Sequence, residues 1–476
     1  MKSVIKNHFD GDGGIRMLLV IAVPMIVSSA AETIMMFVDR LFLSRLSPIH
    51  LAAGLSGGLT AFMMSTFFQG TIGYVNALVA QRFGAKQPHA CGRAAAQGLI
   101  LAVLSYPLVL ILVPLISLML RSVGHDPVQV GLELDYFRII AFGSIFGLLR
   151  TALAGFFCGI GRTKMVMVAN LVALIINVPA NAILIFGKFG CPALGIKGAA
   201  YGTIIGSAVA LVILLFAYWA PAMRDAFGTA TKAGLDKPLM KLLLKFGIPS
   251  GVEFFLNVAA FNVFVTVFQS YGTTAAAAIS ITLNWDLLAL LPLMGMGQAV
   301  TSLTGRYIGA GQPDTVRRAT FSGIKSCFLY GVFMSALFVF APGMLVDVFA
   351  QGEAYASVRP MAIMMLKLAA IYTMADGLLV VFDGALRGVG DTRWIMRVSA
   401  GLHWLMALAS IILIRVLHVS PVMAWVALIV FVLIITVVLG KRFLGEAWRT
   451  LDVLAPASTP INVIEGAASG VPPDIK

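Results

Sequence analysis

The first half of this chain returns in the second at a shift of 225 residues, so whatever it folds into must be built from two similar halves. Pro24 in VPMIV falls on Pro249 in IPSGV, and RFGAKQP (Arg82 to Pro88) falls without a gap on YIGAGQP (Tyr307 to Pro313). Further along, GFFCGIGRTKMVM (Gly155 to Met167) matches GALRGVGDTRWIM (Gly384 to Met396) at a shift of 229, so four residues entered between the matched regions. Both copies are apolar over most of their length. With 59% hydrophobic and 12% charged residues and a mean hydropathy of +0.95, the chain carries more apolar surface than a soluble core can cover and belongs in a bilayer.

Apolar windows fall at 16–44, 52–80, 94–120, 131–159, 166–187 and 196–219, then at 241–270, 275–304, 318–349, 356–385, 394–416 and 419–440. The expected fold class is an all-α membrane protein of 12 transmembrane helices in two six-helix repeats. An even number of spans per copy makes the repeats parallel, with two lobes about a pseudo-twofold axis along the membrane normal and a central cleft between them, the geometry of alternating-access transporters. The expected division is an N-terminal segment 1–15, a first lobe 16–220, a linker 221–240, a second lobe 241–441 and a disordered tail 442–476 rich in Pro, Ala and Gly. The first run keeps Pro24, Glu32 and Asp39, so it reads as a retained span and not a cleaved leader. Arg82, Lys86, Arg93, Arg162, Lys164, Arg306, Arg317, Arg387, Arg393 and Lys441 crowd one side of the membrane, which places both termini in the cytoplasm.

The net charge of +13 sits mostly between spans, which removes the nucleic-acid reading. Cys91, Cys158, Cys191 and Cys327 form no CxxC and no metal-ligand spacing. GxxxxGK[ST] is absent, which argues against ATP-driven transport within the chain, and no catalytic constellation is visible, so an enzyme is not expected. No cofactor is implied beyond a coupling ion. Lipid is the surrounding partner, and a monomer suffices because a two-lobed chain encloses its own cleft.

Intramembrane carboxylates are costly, about 2.5–3.5 kcal/mol each on insertion scales, and therefore mark candidate ion sites. Glu32 and Asp39 lie seven residues apart on one face of the first span, and Asp376 and Asp383 repeat that spacing on the tenth. Glu253 lies on the seventh, four residues before Asn257. A buried carboxylate either takes up a proton or binds a cation, and either lets an ion gradient do work. The alternative for each is a structural pair: Glu32 or Asp39 with Arg150, Asp376 with Lys367, Asp383 with Arg387. Asn177 and Asn181 flank Pro179 in NVPAN with both amides on one face beside a helix break, a candidate cavity lining. Pro24 offers a bend in the first helix.

These residues together resemble the multidrug and toxic compound extrusion (MATE) family, from about Ile15 to Lys441. FVDR (Phe37 to Arg40) is similar to the family's VDT signature, with Arg40 in place of Thr; NVPAN and IFGKFG resemble the fifth helix and the loop after it. Tyr372, Asp376 and LRGVGDT (Leu386 to Thr392) resemble the tenth helix and its exit. The resemblance implies a bacterial inner-membrane antiporter exporting small organic, mostly cationic molecules against H+ or Na+. In it Asp39 takes part in proton-coupled binding facing Asn177 and Asn181, and Asp376 with Tyr372 shapes a cation site, a candidate for Na+. Where the NorM-type branch has Glu on the seventh helix this chain has Asn257, with Glu253 one turn earlier. The rival is a flippase of lipid-linked sugars, which would use basic residues such as Arg138 and Lys367 for pyrophosphate.

Overall fold

The computed structural model describes residues 11–122, 126–229, 234–349 and 357–451; the expected N-terminal segment up to residue 10 lies outside the described residues, and so does the expected tail 442–476 beyond residue 451. The first residues of that tail are not disordered: the last helix runs to Leu444 and Trp448 is buried against Phe443. Among the described residues twelve helices are long and apolar enough to cross a membrane: Ile15–Ser44, Ile49–Gly84, Pro88–Ser122, Pro127–Gly159, Thr163–Phe186 and Ile196–Trp219, then Lys237–Gln269, Thr273–Gly309, Pro313–Phe340, Val358–Gly388, Thr392–Val416 and Pro421–Leu444. They are numbered first to twelfth below.

Their starts follow from local chemistry. Proline, which needs no hydrogen-bonded N–H in the first turn, begins the helices at Pro48, Pro88, Pro127, Pro313 and Pro421. Side chains add caps: Asp126 accepts from the N–H of Val128 and Gln129, and Asp236 from that of Leu239. Two expected windows are redrawn. The second extends to Gly84 with a break at Tyr74, and the ninth stops at Phe340, because Pro342 cannot continue the hydrogen-bond ladder and starts a short helix, Pro342–Asp347. The eleventh helix carries two π-helical stretches, Met396–Ala400 and Ile412–Val416.

The turns at 85–87, 160–162, 310–312 and 389–391 gather at one end of the bundle together with Gly13, Gly228 and Asp236, and this is the basic end. Hydrogen bonds that join the two halves lie toward it. Gly13 N–H donates to Tyr307, Ser322 donates to Gly13 O, Gln81 Nε2 donates to Gly388 O at 2.8 Å, Ser302 donates to Cys158 O at 2.7 Å and Asn76 Nδ2 to Gln298 O at 3.3 Å. Beyond the middle, Phe62 and Phe254 meet edge to face at 6.2 Å.

The halves also exchange helix segments. Leu18, Ile21 and Ala22 of the first helix are buried in a core otherwise made by the second half, among Leu293, Met296, Val300, Phe382 and Leu439. Leu242, Leu243 and Phe246 of the seventh are buried reciprocally among Tyr74, Leu78, Phe156 and Tyr218 of the first half. Each repeat thus opens with a helix whose basic-end part packs across the divide.

Candidate functional site

In the first half, the face of the first helix that carries Ser28, Glu32, Met35 and Asp39 turns toward the fifth and sixth helices. Asp39 is buried, 6% exposed, and accepts hydrogen bonds from Asn181 Nδ2 and, at 2.8 Å, from Thr203 Oγ1 of the sixth helix. Asn181 Nδ2 also reaches Asn177 Oδ1 at 3.1 Å, so the two amides that flank Pro179 line one polar wall. The sixth helix leaves room for them: a Cβ at Gly202 would collide with the Asn181 amide, and one at Gly206 would sit 3.2 Å from Asn177 Cβ. Tyr136 of the fourth helix and Arg40 lie within electrostatic range of Asp39. Asn177 Nδ2 and Asn181 Oδ1 are buried without a hydrogen-bond partner.

About two turns toward the basic end, Glu32 Oε1 is held by Arg150 Nη1 of the fourth helix and, at 2.8 Å, by Asn170 Nδ2, which also donates to Ser28 Oγ at 2.6 Å. The second half keeps this node at repeat-related positions with acid and amide exchanged. Ser28 and Glu32 become Glu253 and Asn257 at the shift of 225, and Asn170 becomes Ser399 at the shift of 229. There Asn257 Nδ2 donates to Glu253 Oε1 at 3.2 Å and to Ser399 Oγ at 3.0 Å. Again an arginine completes the node: Arg387 Nη2 lies 2.9 Å from Glu253 Oε2 and 3.0 Å from Asp383 Oδ2. Glu32, Glu253 and Asp383 therefore all stand in ion pairs, which suits a structural part.

Asp376 is placed differently. It is 7% exposed and shares the hydroxyl of Tyr372 with Asp286 of the eighth helix, to which Tyr372 donates at 3.2 Å. A phenol has one proton, so it can donate to one carboxylate only; two acids around it need a further proton or a cation. The donor set, two carboxylates and a phenolic oxygen, suits a hard cation such as Na+ as well as a proton. Lys367 is not among these partners. Asp286 escaped the sequence reading, although its signal, the charge in LNWDLL inside an apolar window, was available. Pro24 sits buried inside a continuous first helix. Among the described residues no group of three or more His, Cys, Asp and Glu side chains is arranged to hold a metal ion.

The sequence model of the MatE family matches residues 24–183 and 249–408, one match for each repeat. The chain is 30% identical to the "Probable multidrug resistance protein NorM" of Pseudomonas putida over 403 residues, 83% of this chain and 86% of that protein. It is 28% identical to the "Multidrug resistance protein MdtK" of Edwardsiella ictaluri over 434 residues, 87% and 92% of the two chains. In fold it is similar to a solved MOP superfamily transporter from Pyrococcus furiosus, with a TM-score of 0.84 at 19% identity, covering 92% of this chain and 97% of that one.

Proposed function

The chain belongs to the MatE family, is an integral membrane protein with twelve spans and acts in multidrug efflux; on that premise we propose that it exports small organic cations by antiport with H+ or Na+. The observation that carries this reading is the sorting of its intramembrane acids. Three are tied to arginine, whereas Asp39 is bonded only by an amide and a hydroxyl, and Asp376 and Asp286 share one phenol. Acids kept in a membrane without a bonded base are available for exchange.

In this mechanism ionised Asp39 attracts a cationic substrate that enters from the basic, cytoplasmic end. Arrival of a proton removes that attraction, and the substrate leaves on the other side. Asn177 and Asn181 orient the carboxylate, and Thr203 holds its second oxygen. Asp286, Tyr372 and Asp376 form a second ion site, with Na+ an eligible occupant. Both termini are cytoplasmic, the membrane is the bacterial inner membrane, lipid surrounds the spans and one chain is the working unit. The lobes are 16–220 and 241–441, joined by the linker 221–240. The flippase alternative gains no support, since Arg138 Nε is directed at Ser117 of the third helix at 3.5 Å.

The test is dye transport by reconstituted vesicles under imposed pH and Na+ gradients, applied separately. Asp39→Asn keeps the shape and most hydrogen bonds but removes the charge, and is expected to abolish gradient-driven transport while the protein stays folded. Wild-type rates in that variant would defeat the role given to Asp39.

A further inference from the structure

Two glycines of the matched basic loops stand at repeat-related positions, Gly84 and Gly309, 225 residues apart. Each ends a helix, and each lies against the backbone of the other half. A Cβ on Gly84 would run into the carbonyl oxygen of Arg306 and lie 3.0 Å from its Cα; a Cβ on Gly309 would run into the carbonyl oxygen of Gln81 and lie 2.9 Å from its Cα. Arg306 and Gln81 are themselves 225 apart, so the two contacts are one contact seen twice across the pseudo-twofold axis.

The same relation recurs nearer the middle of the bundle. A Cβ on Gly70 would lie 2.8 Å from the Cα of Gly251, and one on Gly295 would lie 2.7 Å from the N of Ile26. Gly70 and Gly295 are repeat-related, as are Ile26 and Gly251. The second helix thus presses on the seventh and eighth, and the eighth on the first and second, by backbone with no side chain between. The hydrogen bonds between the halves follow this seam: Asn76 to Gln298 O, Ser302 to Cys158 O and Gln81 to Gly388 O. Arg306 lies over the Phe83 ring at 4.8 Å.

We propose that these two symmetric pairs of glycines are a latch that closes the basic end between the halves, and that closure depends on the missing methyl groups. Without a hydrophobic drive between helices in lipid, close backbone approach at small residues is what holds such a seam. The drop from glycine to alanine at Gly84 or Gly309 wedges the seam where no side chain can yield, because the opposing atoms are backbone. The latch is a device for conformational balance and touches neither ion site. It rests on the antiport proposed in the preceding subsection, carried out by the alternating access that two parallel repeats imply.

The experiment measures the width of the basic end in reconstituted full-length protein. Lys164 and Arg393, exposed and on opposite halves, are replaced by spin-labelled cysteines in a Cys191→Ser background, and the label-to-label distance distribution is recorded with and without a pH gradient. Wild type is expected to show a short-distance and a long-distance population. Gly84→Ala and Gly309→Ala are each expected to move their ratio toward the long distance by about tenfold or more. Gly401→Ala, which meets nothing within 4 Å, is expected to leave the ratio unchanged. Should the glycine variants not fold, Gln81→Leu, which deletes the bond to Gly388 O without adding bulk to the seam, is expected to shift the ratio the same way by a smaller factor. A ratio unchanged in folded Gly84→Ala and Gly309→Ala, or in Gln81→Leu when those do not fold, overturns the latch. A single population in wild type under every gradient would instead overturn the alternating-access reading beneath it.

Discussion

The two halves of the molecule share a backbone plan and one hydrogen-bonded node, yet their ion chemistry sits on different helices. Moved by the repeat shifts, Asp39 becomes Phe264, and Asn177 and Asn181 become Met406 and Ser410, so the second half has an apolar core where the first has its carboxylate site. In reverse, Asp376 and Tyr372 become Gly147 and Gly143, and Asp286 becomes Ala61, so the first half lacks the phenol-bridged acids. What both kept is the arginine-locked node, Glu32 with Asn170 in one half and Glu253 with Asn257 in the other. Each half thus holds an acid against an arginine, at positions exchanged between the repeats, while the acids left for exchange sit on different helices.

This contrast can be broken most decisively at the second ion site. If the two sites do different jobs, Asp286→Asn and Asp376→Asn should each cut gradient-driven transport by about tenfold, and the double variant should be no worse than either, because both acids serve one bound proton or cation. Additive losses in vesicle assays would mean that the two carboxylates act separately. A smaller effect, on stability and not on coupling, is expected at the node. Arg387→Met leaves Glu253 and Asp383 without their base, and should lower stability by about 3 kcal/mol, seen as a fall in melting temperature in detergent. Glu253→Gln with Arg387 intact should retain ion coupling; loss of coupling there would move Glu253 into the transport machinery. The smallest effect is expected where Arg359, at the start of the tenth helix, grips Asp347 of the short helix before it at 2.6 and 2.9 Å and holds that carboxyl below the ordinary carboxylate range. A depressed value means that the pair is complete at neutral pH and is lost only as the pH falls through the lowered value. Both groups are well exposed, so Arg359→Ala should leave the melting temperature at neutral pH unchanged.

The sequence disclosed the twelve spans because bilayer thickness and hydropathy act locally. The face shared by Asn177 and Asn181 was legible from helical periodicity, and so was the pairing of Asp383 with Arg387 one turn on. What sequence could not rank was which acids meet a base. Glu32 finds Arg150 at a separation of 118 residues and Glu253 finds Arg387 at 134, and such contacts depend on how helices are arranged and not on any pattern along one of them. Asp286 was overlooked for a related reason: one carboxylate in an apolar window carries no spacing signal until Tyr372, 86 residues away, is brought against it. The repeat shift offered a partial remedy, since aligning Ser28 and Glu32 with Glu253 and Asn257 exposes the exchange of acid for amide.

The reciprocal docking of the first and seventh helices has a consequence for biogenesis. Leu18, Ile21 and Ala22 have their neighbours in the part of the chain synthesised last, and Leu242, Leu243 and Phe246 have theirs in the part synthesised first. The opening helix therefore waits in the membrane with that surface unmatched until the C-terminal spans arrive. Two fragments cut at the linker would each insert with a strap meant for the other, and would have to find one another to become whole.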